Sequence, residues 1–317
     1  MPQSPVLLQT IGLLPSLERR LAETYTIHRL PAAGPEREAF LAARGAEFDG
    51  IVTSANSGAD AALIAALPKA RVISSFGVGL DKLDVQAARA RGIPVGYTPD
   101  VLNDCVADMA FGLLLSIARR LPEGDRFVRA GRWSAPGATA FPLGFQVSHG
   151  KLGIVGLGRI GRTIARRASG FDMDVRYHSR NAVDGAEWRY EPKLLELARW
   201  ADFLVVITAG GAGTRHLIDA AVLDALGPKG FLVNVARGTV VDEAALVQAL
   251  REKRIGGAGL DVYEHEPQVP AELLALDNVV LAPHIASSTV QTREAMGQRV
   301  LDNLAAFFAG EPLPSAA

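Results

Sequence analysis

The sequence predicts an α/β protein made of two doubly wound parallel-sheet domains, and three observations predict it. Short apolar, strand-like runs alternate with amphipathic helix-like stretches along most of the chain. A long helical stretch interrupts that alternation once, after residue 99. The alternation then resumes at the glycine loop Gly156-Leu157-Gly158-Arg159-Ile160-Gly161, directly behind the apolar run Leu152-Gly153-Ile154-Val155. Strands joined through helices form βαβ units, which stack into parallel sheets covered by helices on both faces.

Taken in order, strand-like segments at 6–8, 48–52, 72–74 and 93–95 alternate with helical candidates at 17–24, 35–43, 59–67 and 85–90. These make a small α/β unit of their own. At Tyr97-Thr98-Pro99 the pattern changes to a helix over about 102–121, and its proline-marked start makes a hinge about which a cleft would close. Residues 124–150 read as irregular and hold Trp133. Strands follow at 152–155, 175–178, 203–207, 231–235, 259–262 and 279–281, with helices between most of them, as in a Rossmann or flavodoxin-like sheet. A last helix over about 289–308 carries Met296, Val300, Leu304 and Phe307 near helical spacing, a stripe suited to packing back on the first domain. The expected division is 1–98 plus 289–317 as one domain and 99–288 as the other.

Composition excludes several classes of function. A net charge of -1 argues against a nucleic-acid partner, and the pairs Arg19-Arg20, Arg119-Arg120 and Arg166-Arg167 extend into no longer basic run. The single cysteine, Cys105, rules out an intramolecular disulfide and a cysteine-rich metal site, and no other metal-ligand spacing is present. The start Met1-Pro2-Gln3-Ser4-Pro5 lacks the basic n-region of a signal peptide, and the longest apolar run, 109–118, is too short to span a bilayer. A cytoplasmic protein is expected.

The glycine loop points to a dinucleotide. Gly156 permits a tight strand-to-helix turn, Gly158 lets backbone approach a pyrophosphate, and Gly161 lets helix and strand pack closely. The phosphates then meet free N–H groups and the positive end of a helix dipole at Arg159 and Ile160. The second strand ends in His178-Ser179-Arg180, where an NAD site typically has the acid that binds the ribose 2′-hydroxyl. Arg180 offers a guanidinium fork and Ser179 a hydroxyl to a 2′-phosphate, so NADPH is the preferred cofactor and NADH a possible one. The alternative is a solvated surface arginine at 180.

Three polar segments coincide with or follow strands of the second domain: Asn234-Val235-Ala236-Arg237-Gly238, Asp261-Val262-Tyr263-Glu264-His265-Glu266-Pro267 and Ala282-Pro283-His284-Ile285-Ala286. The C-terminal strand ends of an open α/β sheet line its ligand crevice, so Arg237, Glu266 and His284 would converge there. Arg237 can hold a carboxylate and polarise an adjacent ketone, protonated His284 can donate to the carbonyl oxygen, and Glu266 can stabilise the imidazolium by a hydrogen bond. Read singly, each residue also fits a loop histidine, a surface turn or a capping arginine; placement at strand ends favours a joint site.

With these motifs in view, the chain resembles the D-isomer-specific 2-hydroxyacid dehydrogenases over nearly its full length, through 156–161, Val235-Ala236-Arg237-Gly238, 259–267 and Pro283-His284-Ile285-Ala286. Within that family it is most similar to the glyoxylate/hydroxypyruvate reductases, through Phe76-Gly77-Val78-Gly79-Leu80-Asp81 and His178-Ser179-Arg180. The resemblance implies a catalytic triad of Arg237, Glu266 and His284, and a loop whose Val78 and Gly79 N–H groups receive the substrate carboxylate, with Asn56 facing the same pocket. It further implies that 1–98 plus 289–317 binds substrate, that Asp261 sits by the nicotinamide carboxamide and that Thr208 lies along the cofactor cleft. Trp133 resembles a residue that reaches a neighbouring subunit's site, which implies a homodimer; the alternative is a tryptophan buried in its own subunit. The implied activity is NADPH-dependent reduction of glyoxylate, hydroxypyruvate or a similar 2-oxo acid to the D-2-hydroxy acid. The alternatives are an NAD-dependent D-2-hydroxyacid or phosphoglycerate dehydrogenase, and a dinucleotide-sensing binding protein related to transcriptional corepressors.

Overall fold

The computed structural model describes residues 4–135 and 140–317; residues 1–3 and 136–139, on which parts of the N-terminal and 124–150 expectations fall, lie outside the described residues. The chain divides into two compact units, Met1–Leu102 with Ser288–Ala317, and Asn103–Ser287. In the first, β1 (Val6–Gln9), α1 (Pro15–Thr24), β2 (Thr26–Arg29), α2 (Pro35–Arg44), β3 (Gly50–Ser54), α3 (Ala61–Ala65), β4 (Val72–Phe76), α4 (Val85–Ala90) and β5 (Val95–Gly96) alternate. The strands pair in parallel in the order β2-β1-β3-β4-β5, a doubly wound arrangement.

Central strands β3 and β4 are buried along their whole length, as befits strands covered on both faces. Leu8, Phe48, Ile51, Ile64, Leu67 and Ile73 fill the core on one side of this sheet. Prolines open α1 and α2, while Asp60 and Asp84 accept hydrogen bonds from the N–H groups of Leu63 and Ala87 at the starts of α3 and α4. Strand β2 escapes sequence patterning because Thr26-Ile27-His28-Arg29 is an incompletely buried edge strand with no apolar run.

The second unit comprises α5 (Asn103–Ala118), α6 (Leu121–Arg129), β6 (Lys151–Val155), α7 (Arg159–Ala168), β7 (Asp174–His178), β8 (Arg189–Tyr190), α8 (Leu194–Trp200), β9 (Phe203–Val206), α9 (Ala220–Leu226), β10 (Phe231–Asn234), α10 (Glu243–Arg251), β11 (Gly257–Leu260), α11 (Ala271–Leu274) and β12 (Val279–Leu281). Its seven strands are parallel in the order β12-β11-β10-β9-β6-β7-β8, so the strand order reverses between β6 and β9. The stretch read as irregular from 124 begins inside helix α6, because Arg120 takes a left-handed φ of 56° that ends the preceding helix and Pro122 restarts it.

Helix α12 (Val290–Phe308) belongs to the first unit, where it packs against β4 and α1. Thr289 caps it by accepting from the Thr292 N–H at 3.2 Å, and the predicted stripe buries Met296, Val300 and Leu304 with Phe307 half-buried. Buried Asn303 donates to the Tyr97 carbonyl and accepts from the Ser315 N–H, tying the C-terminal segment to β5. Among the described residues, no helix is long and apolar enough to cross a membrane.

Candidate active site

At the point where the strand order reverses, β6 runs into Gly156-Leu157-Gly158 and then α7. Gly156 has φ 105°, and a Cβ there would sit 2.9 Å from the Ile207 carbonyl oxygen and the Thr208 nitrogen. A Cβ on Gly161 would lie 2.1 Å from the Gly156 carbonyl oxygen, so only glycine lets the first turn of α7 close on the loop. Above Gly158 there is open space, and no side chain caps the helix. The first turn of α7, beginning at Arg159 and Ile160, therefore opens on this uncrowded loop without a side-chain cap, the kind of helix N-terminus that favours a phosphate. Thr208 is half-buried just past the end of β9, beside this loop.

Ser179 and Arg180 follow β7 at the same sheet edge. Arg180 is exposed, whereas the Ser179 hydroxyl donates to the Asn181 carbonyl at 2.6 Å and thereby shapes its own turn. A second guanidinium reaches this region: Arg162 of α7 donates to the Asp184 carbonyl at 3.2 Å. In the sequence, the i+3 step from Arg159 is the one signal that Arg162 shares that helix face.

Arg237, Asp261 and His284 follow the C-terminal ends of three adjacent parallel strands, β10, β11 and β12. Asn234, almost wholly buried, shapes the first of these turns by accepting from the Ala236 N–H at 3.1 Å and donating to the Arg237 carbonyl at 3.0 Å. The Arg237 guanidinium donates to the Ala236 carbonyl at 2.7 Å. Gly238 permits the next contact, since a Cβ there would fall 1.8 Å from the Tyr263 carbonyl carbon. The turn bearing Glu266 thus packs directly on the turn bearing Arg237.

His284 and Glu266 meet: Nδ1 of the imidazole lies 2.8 Å from Oε2, while Oε1 accepts from the Tyr263 N–H at 3.1 Å. Burial pushes the Glu266 carboxyl up, but the hydrogen bond and charge of His284, the Tyr263 N–H and the charge of Arg237 prevail and hold it below its ordinary value. His284 takes a left-handed φ of 53°, and its N–H donates to the Asp261 carbonyl at 2.8 Å. Asp261 is fully buried, and its two carboxylate oxygens accept from the Ile285 and Ala286 N–H groups at 2.7 and 2.8 Å. Burial raises its carboxyl above the ordinary value against those two bonds. Tyr263 closes the arrangement by donating to the Ala282 carbonyl at 3.0 Å, and burial pushes its phenol up to about 12.

The remaining expected residues lie elsewhere. In the first unit, Val78 and Gly79 are half-buried just past the end of β4, and among the described residues no acceptor is bonded to their N–H groups. Asn56 is exposed past the end of β3, the same edge of that sheet, and its carbonyl accepts from Lys82 at 3.0 Å. Trp133 is 74% exposed after α6, which excludes burial within its own subunit.

A seven-stranded parallel sheet with an anion cradle at its reversal point, and an arginine and a histidine–glutamate pair along the same edge, defines a nucleotide-binding α/β dehydrogenase. The family profile for the D-isomer specific 2-hydroxyacid dehydrogenase, NAD binding domain, matches residues 111–286. The chain is 46% identical over 297 residues to a hydroxyphenylpyruvate reductase of Plectranthus scutellarioides and, over the same length, to a glyoxylate/hydroxypyruvate reductase A of Arabidopsis thaliana, with 94% of each chain covered in both cases. Among solved structures it is similar to the NADPH-dependent glyoxylate/hydroxypyruvate reductase of Sinorhizobium meliloti in complex with NADP and malonate, at 43% identity and a TM-score of 0.92, covering 99% of this chain and 97% of that one. The chain belongs to the D-isomer-specific 2-hydroxyacid dehydrogenase family.

Proposed function

We propose that the chain reduces a small 2-oxo acid, glyoxylate or hydroxypyruvate, with NADPH, giving the D-2-hydroxy acid where the product is chiral. The observation that carries this reading is the 2.8 Å contact between His284 and Glu266, on the strand edge that also holds Arg237 and the glycine loop. When bound on that loop, the reduced nicotinamide supplies the hydride. Arg237 holds the substrate carboxylate and polarises its ketone. With Nδ1 engaged by Glu266, the Nε2–H of protonated His284 is the group that gives a proton to the carbonyl oxygen. Asp261 holds the backbone on which His284 sits, through its carbonyl and both carboxylate oxygens. The first unit contributes substrate binding, with the Val78 and Gly79 N–H groups as carboxylate donors and Asn56 on the neighbouring loop.

NADPH is favoured over NADH by Arg180 and Ser179, in a region that Arg162 also reaches, and by the absence of an acid at the end of β7. The NADP complex of the Sinorhizobium meliloti enzyme is consistent with this. We also propose a cytoplasmic homodimer: Leu121, Val128, Trp133, Leu143 and Phe145 are exposed apolar side chains on α6 and the segment after it, a surface that a second copy would cover.

The test is steady-state oxidation of NADPH and NADH with glyoxylate, hydroxypyruvate and hydroxyphenylpyruvate. Turnover with glyoxylate or hydroxypyruvate and a preference for NADPH are expected; no turnover across the panel would end the reading. Arg180→Asp removes a charge-assisted contact and adds repulsion, so the ratio of kcat/KM for NADPH to that for NADH should fall by about tenfold to a hundredfold. An unaltered ratio would make Arg180 a surface residue.

A further inference from the structure

Two residues before Glu266, Glu264 is among the more heavily tied side chains of the second unit, and the chemistry above does not use it. Its carboxylate is 10% exposed and its Oε1 accepts from Arg215 at 2.6 Å and from His216 Nε2 at 2.9 Å. Its N–H donates to Glu243 Oε2 at 3.2 Å at the start of α10. His216 is itself joined to the Arg237 turn, because its N–H donates to the Thr239 carbonyl at 2.8 Å and, two residues on, Ile218 donates to Val240 at 3.0 Å.

The two consecutive residues that lead into Glu266 are therefore fastened to different loops. Tyr263 bonds the Ala282 carbonyl, two residues before His284. Glu264 is gripped by a segment that pairs with the residues immediately after Arg237 and Gly238. We propose that Glu264 is a positioning residue for the reaction: held by Arg215 and His216, it keeps the turn that carries Glu266 seated against the loop that carries Arg237. The idea rests on the functional reading above in assigning work to Glu266, but the fastening itself is separable from it.

Glu264→Ala removes the acceptor, whereas Glu264→Gln keeps an oxygen that both donors can reach. For Ala, kcat should fall about tenfold with KM for NADPH unchanged, because the cofactor cradle is untouched and a small misplacement of Glu266 is enough. Gln should restore most of kcat. The double variant Arg215→Ala/His216→Ala should reproduce the Ala phenotype, and it decides the matter if Glu264→Ala does not fold. Amide hydrogen exchange at 262–268 in the ligand-free protein should quicken in both loss variants and stay slow in Gln. Wild-type kcat in the loss variants, or unchanged exchange at 262–268, would overturn the proposal. Should the wild-type protein turn over none of the acids, the functional reading fails while the exchange comparison still decides whether Glu264 holds the turn.

Discussion

Replacing His284 with alanine is expected to lower kcat for 2-oxo acid reduction by about 10²–10⁴-fold, the usual contribution of a positioned general acid, while leaving NADPH affinity unchanged. The affinity should hold because the cradle at Gly156, Gly158 and Gly161 is built from a different turn, on β6 and α7. His284 sits at a left-handed φ of 53°, so alanine alone risks confusing lost chemistry with a rearranged loop. His284→Asn tolerates that conformation better and should lose the same factor. Single-turnover kinetics with saturating NADPH, beside a fluorescence titration of the cofactor, separates the effects. A rate within a few-fold of wild type in either variant would remove His284 from the proton transfer.

The glutamate partner gives the same chemistry a pH signature. With Glu266→Gln the imidazolium loses its anionic neighbour, so kcat for reduction should fall while NADPH affinity holds. The pH signature is read in stability. Glu266 is held below its ordinary value of 4.5, so its contribution is present above that pH and is lost as pH falls through the lowered value. The stability gap between wild type and Glu266→Gln should therefore be widest near neutrality and close in acid, as urea melts at several pH values would read. A gap independent of pH would mean that the 2.8 Å contact does not bias the ionisation of Glu266.

What the sequence made legible follows from how local each signal is. The glycine loop and β12 could be read because glycine spacing and an apolar run are properties of adjacent residues. Strands β2 and β8 could not, being short edge strands of mixed polarity. Helix α6 was hidden by a backbone angle at Arg120 that no composition reveals. At the site, the types of Arg237, Glu266 and His284 were enough to nominate them, since strand ends are predictable from the same periodicity that predicts strands. Their supports were not: Asp261 meets Ile285 and Ala286 across 24 and 25 residues, and Glu264 meets Arg215 and His216 across 49 and 48. Such contacts exist only once neighbouring strand ends are brought side by side.

Removing one of those supports should have the largest effect on stability of any single change at the site. Asp261→Ala leaves the Ile285 and Ala286 N–H groups without their acceptor, and an unsatisfied buried donor costs about 1–3 kcal/mol. The Ala286 N–H is buried and carries that cost in full, the part-buried Ile285 N–H carries less, and Tm should drop by several degrees. Activity should fall further than stability requires, because the same loop carries His284, and a displacement of about 1 Å can cost a hundredfold in rate. Asp261→Asn is the discriminating partner. Its amide oxygen satisfies one N–H but its NH₂ faces the other, so it should be intermediate in Tm. Its dependence on pH adds a second check, because burial raises the Asp261 carboxyl above its ordinary 3.8. For a raised acid, stability is fully present below that ordinary value and is lost as pH rises through the raised one. The asparagine has no such titration, so its deficit against wild type should grow as the pH is lowered from neutrality. A deficit that shrinks in acid would mean that the two N–H bonds, and not burial, dominate the ionisation of Asp261.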